Sequence, residues 1–216
     1  MTTRNAASMG TYGSAWQAAG YAGGASVAHL INAHLGLPAV VCGGASGVFS
    51  EYEAVLKTHG ESLVVFAAND VGMYLPVLHH WCSLHTDNLG AWKAVRWLHA
   101  RERENTVYHG VDKRPFIDHC WEGLTPLFCL SGFFAMQLAW IMGCSPIILA
   151  GCPSDSTPRF FECAPRQNFA YGGGASDTDN GVRRQLIDEM TRVPQFRAVV
   201  RSMSGWTRDF FGGPDA

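Results

Sequence analysis

A glycine-rich turn, Gly43-Gly44-Ala45-Ser46, follows the apolar run 38–42 and precedes Ser50-Glu51-Tyr52-Glu53, a capping-box pattern that predicts the start of a helix. A strand, a glycine-rich turn and a helix in this order can bring backbone N–H groups against a phosphate. Gly43, Gly44 and Ser46 are therefore candidate anion ligands. The alternative is a tight turn that needs small residues, because the run lacks both the G-x-G-x-x-G spacing and the Lys of a P-loop.

Polar residues also stand at other junctions between apolar segments. Asn69 directly follows the apolar run 62–68, and Ser131-Gly132 opens an apolar helical segment that ends near Met142. Ligands of open α/β sheets bind outside the carboxyl ends of the strands, so we expect these residues to share a site with the glycine-rich turn. Ser131 offers a hydroxyl at the positive end of a helix for a phosphate or ribose, and its alternative role is a plain N-cap.

His85 and Asp155 are the candidate catalytic residues, because each follows a predicted strand at this same edge. His85 ends the predicted strand 77–85 and is a candidate general acid or base, with a hydrogen-bonded structural histidine as the alternative. Asp155 comes shortly after the predicted strand 146–150. Its carboxylate would hold Mg²⁺ or a sugar hydroxyl, or else cap the turn 154–157.

Four potential metal ligands, His79, His80, Cys82 and His85, occur close together in the chain. On a strand only His79 and His85 share a face, because side chains alternate between the two faces, and these two lie too far apart to chelate one ion. The sequence therefore predicts no metal site here.

Apolar runs alternate with helical patterns along the chain, and this alternation predicts the elements that position these residues. The nearly continuous apolar character of the strands indicates that both faces of the sheet are covered. We therefore predict an α/β fold with a doubly wound, mostly parallel, Rossmann-like sheet over residues 37–216, preceded by an Ala/Gly-rich helical appendage over residues 1–36. Predicted strands are 38–42, 62–68, 77–85, 106–109, 146–150 and 196–203, and predicted helices cover 14–19, 25–35, 88–103, 131–142 and 177–192 besides the one that opens at Ser50.

Composition excludes several classes of protein. With 16 Lys+Arg against 18 Asp+Glu, the net charge of -2 does not suit a general nucleic-acid binder. The seven cysteines lie mostly in apolar runs and form no CxxC, which is typical of free thiols in a reducing compartment. The first residues lack the apolar core of a secretory signal, so the expected location is cytoplasmic.

One apolar segment is long enough to span a bilayer. The chain has no charged residue between Glu122 and Asp155, and residues 127–151 have the length of a membrane helix. Gly143 and Pro146 interrupt this segment as a helix stop and a turn would. We therefore expect a buried helix, a turn and a strand, and no membrane span.

The segment 130–143 (LSGFFAMQLAWIMG), followed by 146–151 (PIILAG), resembles the "Ser-Gly, apolar helix, Gly, then a strand ending in Gly-x-Asp" segment of the MptE-like 6-hydroxymethylpterin diphosphokinase group and of the related Rossmann-like bacterial sialyltransferases. The Asp of this pattern is displaced by two positions here, to Asp155. The run 40–46 (VVCGGAS) is similar to their "Gly-x-Gly-Pro-Ser" loop, with Ala45 where they have Pro, and Ala67-Ala-Asn69 to their strand that ends in Asn. The resemblance implies a nucleotide held by the 43–46 loop, Asn69 and the Ser131-Gly132 turn. The late catalytic His of the sialyltransferases has no counterpart after His119.

These observations predict a transferase that binds a nucleotide donor, either an NTP or a nucleotide-sugar, with Mg²⁺ as a candidate metal, and passes a diphosphoryl or glycosyl group to a small-molecule acceptor. Gly43, Gly44, Ser46, Asn69, Ser131 and Gly132 would position the donor, while His85 and Asp155 would serve the chemistry. The alternative is a catalytically inactive Rossmann-like interaction or structural module, such as the subunit of a homo-oligomer. Its contact surfaces would be the Ala/Gly-rich N-terminus and the aromatic residues Trp206, Phe210 and Phe211.

Overall fold

The computed structural model describes residues 27–98, 105–121, 130–155, 157–161, 183–184, 186–188, 191 and 193–215. Short 3-10 turns occur at Ala28–Leu30, Gly60–Ser62 and Asn69–Met73. In chain order, the strands and longer helices are β1 (Ala39–Cys42), α1 (Val48–His59), β2 (Val64–Ala68), β3 (His80–Ser83), α2 (Thr86–Leu98), β4 (Val107–Gly110), β5 (His119–Cys120), α3 (Ser131–Ile141), β6 (Ile147–Ala150), α4 (Pro194–Val199), β7 (Val200–Ser202) and α5 (Gly205–Phe211).

The strands form one seven-stranded sheet in the order β5-β4-β3-β2-β1-β6-β7, and every neighbouring pair is parallel. The chain moves outward from β1 to β5, returns through α3, and adds β6 on the free side of β1. The strand order therefore reverses between β1 and β6, which is the switch point at which Rossmann-like sheets place their ligands. This arrangement confirms the predicted doubly wound α/β fold.

Helices cover the sheet on both faces, and successive strand residues alternate between the two layers. Val40 and Val65 pack into the core that contains α1 residues such as Tyr52. Val41 and Phe66 point the other way, into the core formed with α3. All residues of β1, β2 and β6 are buried, so the two-sided burial accounts for their continuous apolar sequence.

The charge-free segment is a buried helix followed by a buried strand, as predicted for its described part. Ten of the eleven residues of α3 are buried, and the four residues of β6 are buried between β1 and β7. Residues 122–129, which begin the segment, lie outside the described ranges. Among the described residues, no helix combines the length and the apolar character that crossing a membrane requires.

Residues 27–37, called the strap below, are not the helix predicted over 25–35. A single 3-10 turn, Ala28–Leu30, is followed by irregular turns in which Asn32 has a positive φ of 61°. Val27 and Leu30 are buried in the α3 core, so the strap belongs to the main fold over these residues. The predicted helix over 14–19 lies outside the described residues. Three strap amides donate to the end of α3: Asn32 to the Ile141 carbonyl (3.0 Å), His34 to Met142 (2.7 Å) and Gly36 to Gly143 (2.8 Å).

Several predicted boundaries are wrong. β3 covers only His80–Ser83 of the predicted strand 77–85, and α2 begins at Thr86 rather than at residue 88. α1 begins at Val48 rather than Ser50, and its N-cap residue, Gly47, makes no side-chain capping bond. The predicted terminal strand 196–203 is instead the helix α4 followed by the short strand β7. Pro194 begins α4 because proline suits the first helical turn, where its missing N–H has no intrahelical acceptor.

One strand was not predicted, and one predicted helix is described only in part. The strand β5 was not predicted, because it contains only two residues. The predicted helix 177–192 is helical at its described positions 183, 184, 186–188 and 191.

Candidate functional site

A cleft lies at the carboxyl edge of the sheet, at the switch point between β1 and β6. Its walls are the turns that follow β1, β2, β3 and β6, together with the first turn of α3. These segments are remote in sequence and meet only because parallel strands end at one edge. The predicted site residues that line this cleft are Gly43, Gly44, Asn69, His85, Ser131, Gly132 and Asp155.

Ser46 is the predicted site residue that the structure places elsewhere. Its side chain is exposed, and its amide donates to the Pro158 carbonyl at 2.8 Å. The segment around Arg159 pairs with the glycine-rich turn through an antiparallel bridge to Ala45 and a bond from the Phe160 amide to the Gly44 carbonyl. This pairing turns Ser46 away from the cleft.

Packing requires small residues in the glycine-rich turn, as the tight-turn alternative states. The amides of Gly43 and Ala45 donate to the Ala150 and Gly151 carbonyls at 2.7 and 3.1 Å. A methyl group on Gly43 would lie 2.5 Å from the Gly151 carbonyl oxygen, whereas one on Gly44 would meet the Arg159 guanidinium. Because protein carbonyls already bind the amides of Gly43, Ala45 and Ser46, the turn offers fewer amides to a phosphate than its sequence predicts.

Two hydrogen bonds to Asn69 fix its orientation, and a third fixes the direction of the Ser83 hydroxyl that makes one of them. Its backbone has a φ of 59°, and the Trp81 indole N–H donates to its carbonyl at 2.6 Å. The Ser83 hydroxyl accepts the His85 amide at 2.8 Å, so its single proton is donated to Asn69 Oδ1, at 2.9 Å. With Oδ1 on Ser83, the Nδ2 amide group of Asn69 is left for the cleft that this residue lines.

Ser131 is the first residue of α3 and not its N-cap, which is Leu130. The alternative of a plain N-cap is therefore wrong. Ser131 is buried, and its Oγ accepts the Leu84 amide at 3.1 Å, which joins the start of α3 to the turn after β3. Gly132 beside it lies against Cys152, since a methyl group there would be 3.2 Å from the thiol sulfur.

Asp155 lines the cleft, and its carboxylate also caps a turn. Its Oδ1 accepts the Thr157 amide at 2.9 Å and the Thr157 hydroxyl, and its Oδ2 faces the backbone of Gly205. His85 is half-buried at the cleft wall and is held through its backbone bond to Ser83. The capping role predicted as the alternative for Asp155 is therefore present in the structure.

Arg159 and Asp70 form an ion pair at the cleft, across 89 positions of the chain. Arg159 lies against Gly44 and over the ring of Phe161, 5.1 Å from its centroid. No pattern in the sequence predicts this role for Arg159. Its contact with Asp70 follows from the pairing of residues 158–160 with the glycine-rich turn, for which the sequence has no local signal.

Cys152 and Glu51 are cleft neighbours to which the sequence analysis gave no role. Burial, with a smaller effect from the Glu51 carboxylate, raises the pKa of the Cys152 thiol to about 12. The raised pKa favours the protonated thiol at neutral pH, and the sulfur packs against Gly43 and Gly132. Glu51 Oε2 accepts the Gly151 amide at 2.6 Å and fixes the turn after β6 to α1.

The sequence argument against a zinc site placed His79 and His85 on one strand. In the structure His79 precedes β3 and His85 follows it, so neither residue belongs to the strand. In the described part of the chain, no group of three or more His, Cys, Asp or Glu side chains is arranged to hold a metal ion. The described cysteines are free.

Comparison with protein-family models, with curated proteins and with solved structures finds no match to this chain. The protein is therefore an α/β protein with a Rossmann-like sheet. Its cleft lies at the switch point, where such sheets bind their ligands.

Proposed function

We propose that the cleft binds a nucleotide or nucleotide-sugar donor and that the protein transfers a diphosphoryl or glycosyl group to a small-molecule acceptor. The observation that carries this proposal is the convergence of Gly44, Asn69, His85, Ser131 and Asp155, from five separate segments, in one cleft. Open α/β sheets bind nucleotides at this topological position. The resemblance of residues 38–155 to the pterin diphosphokinase and sialyltransferase group supports the same class of ligand.

Hydrogen-bond donors at the cleft wall support a ligand that is rich in acceptors. Ser83 directs the Nδ2 amide of Asn69 toward the cleft. The Leu84 amide occupies one lone pair of Ser131, so the proton of this hydroxyl is available to a ligand. Both groups lie beside the positive end of α3, whose first turn contains no acidic residue. Phosphate oxygens are acceptors that suit such a surface.

The catalytic roles are assigned to His85 and Asp155. His85 lines the cleft as a candidate general acid or base. Asp155 keeps one oxygen on Thr157, and its remaining coordination capacity would serve Mg²⁺ bound together with the donor phosphates.

A catalytically inactive binding module is the second candidate, and one observation favours it. The Asp155 carboxylate is already engaged by two donors of Thr157 and faces Gly205, as a purely structural residue would be. In this case nucleotides would bind without turnover, and the protein would act through contacts such as those of a homo-oligomer. Product analysis after incubation with a bound donor and candidate acceptors separates the two functions.

The binding proposal is tested by titration calorimetry with CTP, CMP, ATP, GTP and UDP-sugars, with and without Mg²⁺. Ser131→Ala removes a hydrogen bond to a charged group, so we expect it to remain folded and to bind its ligand about tenfold or more weakly. Ser62→Ala, an exposed serine that bonds the His59 carbonyl away from the cleft, is the matched control. A Ser131→Ala protein that loses stability yet keeps full affinity would show that Ser131 has only a structural role.

A further inference from the structure

Six of the nine histidines lie in the strap and in or beside β3, β4 and β5. Four of them form a continuous series of neighbouring rings: His34 and His80 are 4.9 Å apart between centroids, His80 and His109 5.2 Å, and His109 and His119 5.5 Å. His29 of the strap lies 5.0 Å from His119, and His79 precedes β3. Two strap histidines, His29 and His34, therefore contact histidines of the sheet.

Three of these histidines and Trp121 form a hydrogen-bonded chain, which we call the histidine chain. Trp121 Nε1 lies 3.1 Å from His109 Nδ1, His109 Nε2 lies 3.0 Å from His80 Nδ1, and His80 Nε2 lies 2.7 Å from His34 Nε2. His109 is fully buried, His80 is 5% exposed and stacks on Phe66, and His34 is half-buried.

The direction of the chain follows from its buried end. An indole N–H can only donate, so His109 Nδ1 must accept and the neutral ring carries its proton on Nε2. That proton is donated to His80 Nδ1, so the His80 proton lies on Nε2 and is donated to His34 Nε2. Each contact then holds one proton, and all three histidines are neutral.

An additional proton cannot enter this chain without breaking it. Protonation of His34 would place two N–H groups against each other in the contact with His80. His80 cannot reverse its tautomer to relieve this, because His109 would have to reverse as well and would meet the Trp121 N–H. The chain therefore accepts a proton only if His34 separates from His80.

We propose that the histidine chain is a proton-sensitive latch, which holds the strap against the sheet at neutral pH and releases it on acidification. The strap is suited to release because Ile31, Leu35 and Leu37 are already exposed. Its attachments are the buried Val27 and Leu30, the ring contacts of His29 and His34, the three amides bound to the end of α3, and the Leu37 carbonyl, which accepts the Ser145 amide at 2.8 Å. Release would leave the terminal carbonyls of α3 without these donors.

The groups that face the chain favour the neutral form. Burial, followed by His34, His79 and His119, lowers the pKa of His80 to about 3. Burial also lowers the pKa of His34, with a smaller contribution from His79, and that of His109, with smaller contributions from His80, His119 and His34. The neighbouring His119 also has a lowered pKa, because burial and His29 outweigh the opposite effect of the Asp118 carboxylate.

The test is hydrogen exchange of the full chain, read by NMR in EDTA-containing buffer at about pH 7.5 and about pH 5 and corrected for intrinsic exchange. We expect protection of the Asn32, His34 and Gly36 amides to fall at least about tenfold at the lower pH, while the β1 and β6 amides keep their protection. Equal protection of the strap amides at both pH values would overturn the proposal.

A variant separates the latch from general acid sensitivity. His34→Gln offers an amide oxygen to His80 but does not titrate, so its strap should stay protected at both pH values. His59→Gln, a histidine at the end of α1 away from the chain, should behave as the original protein does. Loss of strap protection at low pH in His34→Gln as in the original protein would also overturn the proposal. So would imidazole ¹⁵N shifts showing His80 or His109 protonated near pH 6 while the strap stays docked.

Discussion

At the residue scale, the orientation of one side-chain amide decides what the cleft can recognise. Ser83 is fully buried and touches Asn69 and the His85 backbone, so its role is to position other groups. Because Ser83 donates to Oδ1, Asn69 presents a donor to the cleft. A ligand bound at this point must therefore supply an acceptor, as a phosphate or hydroxyl oxygen does.

Asn69→Asp tests this orientation with a change of one atom. The carboxylate would replace a donor by a negative charge, so we expect affinity for a phosphate-containing ligand to fall at least about tenfold. The fold should tolerate the change, because Asp accepts the left-handed backbone of this position nearly as well as Asn.

Asn88→Asp, an exposed residue of α2, is the matched control for the same chemical change. Calorimetric titration of both variants with one nucleotide provides the measurement. Unchanged affinity in Asn69→Asp would show that Asn69 Nδ2 does not contact the ligand.

At the element scale, the two glycines of the turn after β1 have different tasks. Gly43 packs against the backbone of Gly151, and Gly44 faces only the flexible end of Arg159. Gly43 therefore fixes the distance between β1 and the turn after β6, while Gly44 leaves space at the cleft.

We accordingly expect Gly43→Ala to lower the free energy of unfolding by about 1–3 kcal/mol, because the added methyl group would force the backbone apart. Gly44→Ala should change stability by less than about 0.5 kcal/mol, since the Arg159 side chain can move aside. Urea unfolding of the two variants gives the comparison. Equal destabilisation by both would contradict the different tasks assigned to them.

The elements that the sequence predicts well are those whose burial leaves a simple pattern. β1, β2 and β6 are apolar at every position because both of their faces are covered. Residues 196–203 lack such a pattern, because their buried residues Phe196 and Val200 belong to different elements, the helix α4 and the strand β7. The strap carries few buried residues, so its sequence did not indicate how it attaches.

The candidate site was partly predictable for a related reason. Residues that directly follow parallel strands meet at one edge of the sheet, and on this basis Gly44, Asn69 and His85 were expected to lie together, as they do in the cleft. The contact of Arg159 with Asp70 could not be predicted in this way, because it depends on how residues 158–160 cross the glycine-rich turn. Nor could the position of Ser131 after the N-cap, because helix boundaries depend on the local backbone.

At the scale of the whole molecule, the buried histidines make stability depend on pH. His80 and His109 are neutral in the folded protein, whereas unfolded histidines titrate near pH 6.5. Because their folded pKa values are lowered, their stabilising effect is complete above about pH 6.5. As pH falls below this value, the unfolded state binds protons that the folded state excludes, and stability decreases until the folded pKa is reached.

The expected loss is about 1.4 kcal/mol for each of the two buried histidines at about pH 5.5, or about 3 kcal/mol in total relative to pH 8. Urea unfolding at constant ionic strength over this range measures it. His59→Gln should leave the pH dependence unchanged, since this residue lies outside the buried cluster. A constant free energy of unfolding between pH 8 and 5.5 would contradict neutral, buried His80 and His109.

The cleft and the histidine chain consist of different residues. The cleft lies at the carboxyl ends of the strands, whereas the histidine chain runs from His34 of the strap through β3 and β4 to Trp121. Ligand binding and proton binding can therefore be followed independently in one protein by resolved backbone amides.

NMR titration of the full chain with nucleotides and nucleotide-sugars in the presence of Mg²⁺ tests directly whether the cleft is a nucleotide site. We expect saturable shifts of the Gly44 and Gly132 amides and of the Asn69 side-chain amide, with little change at His34 and its neighbours in the strap. If every nucleotide leaves these resonances unchanged at millimolar concentration, or shifts only residues remote from the cleft, the proposed nucleotide site is wrong.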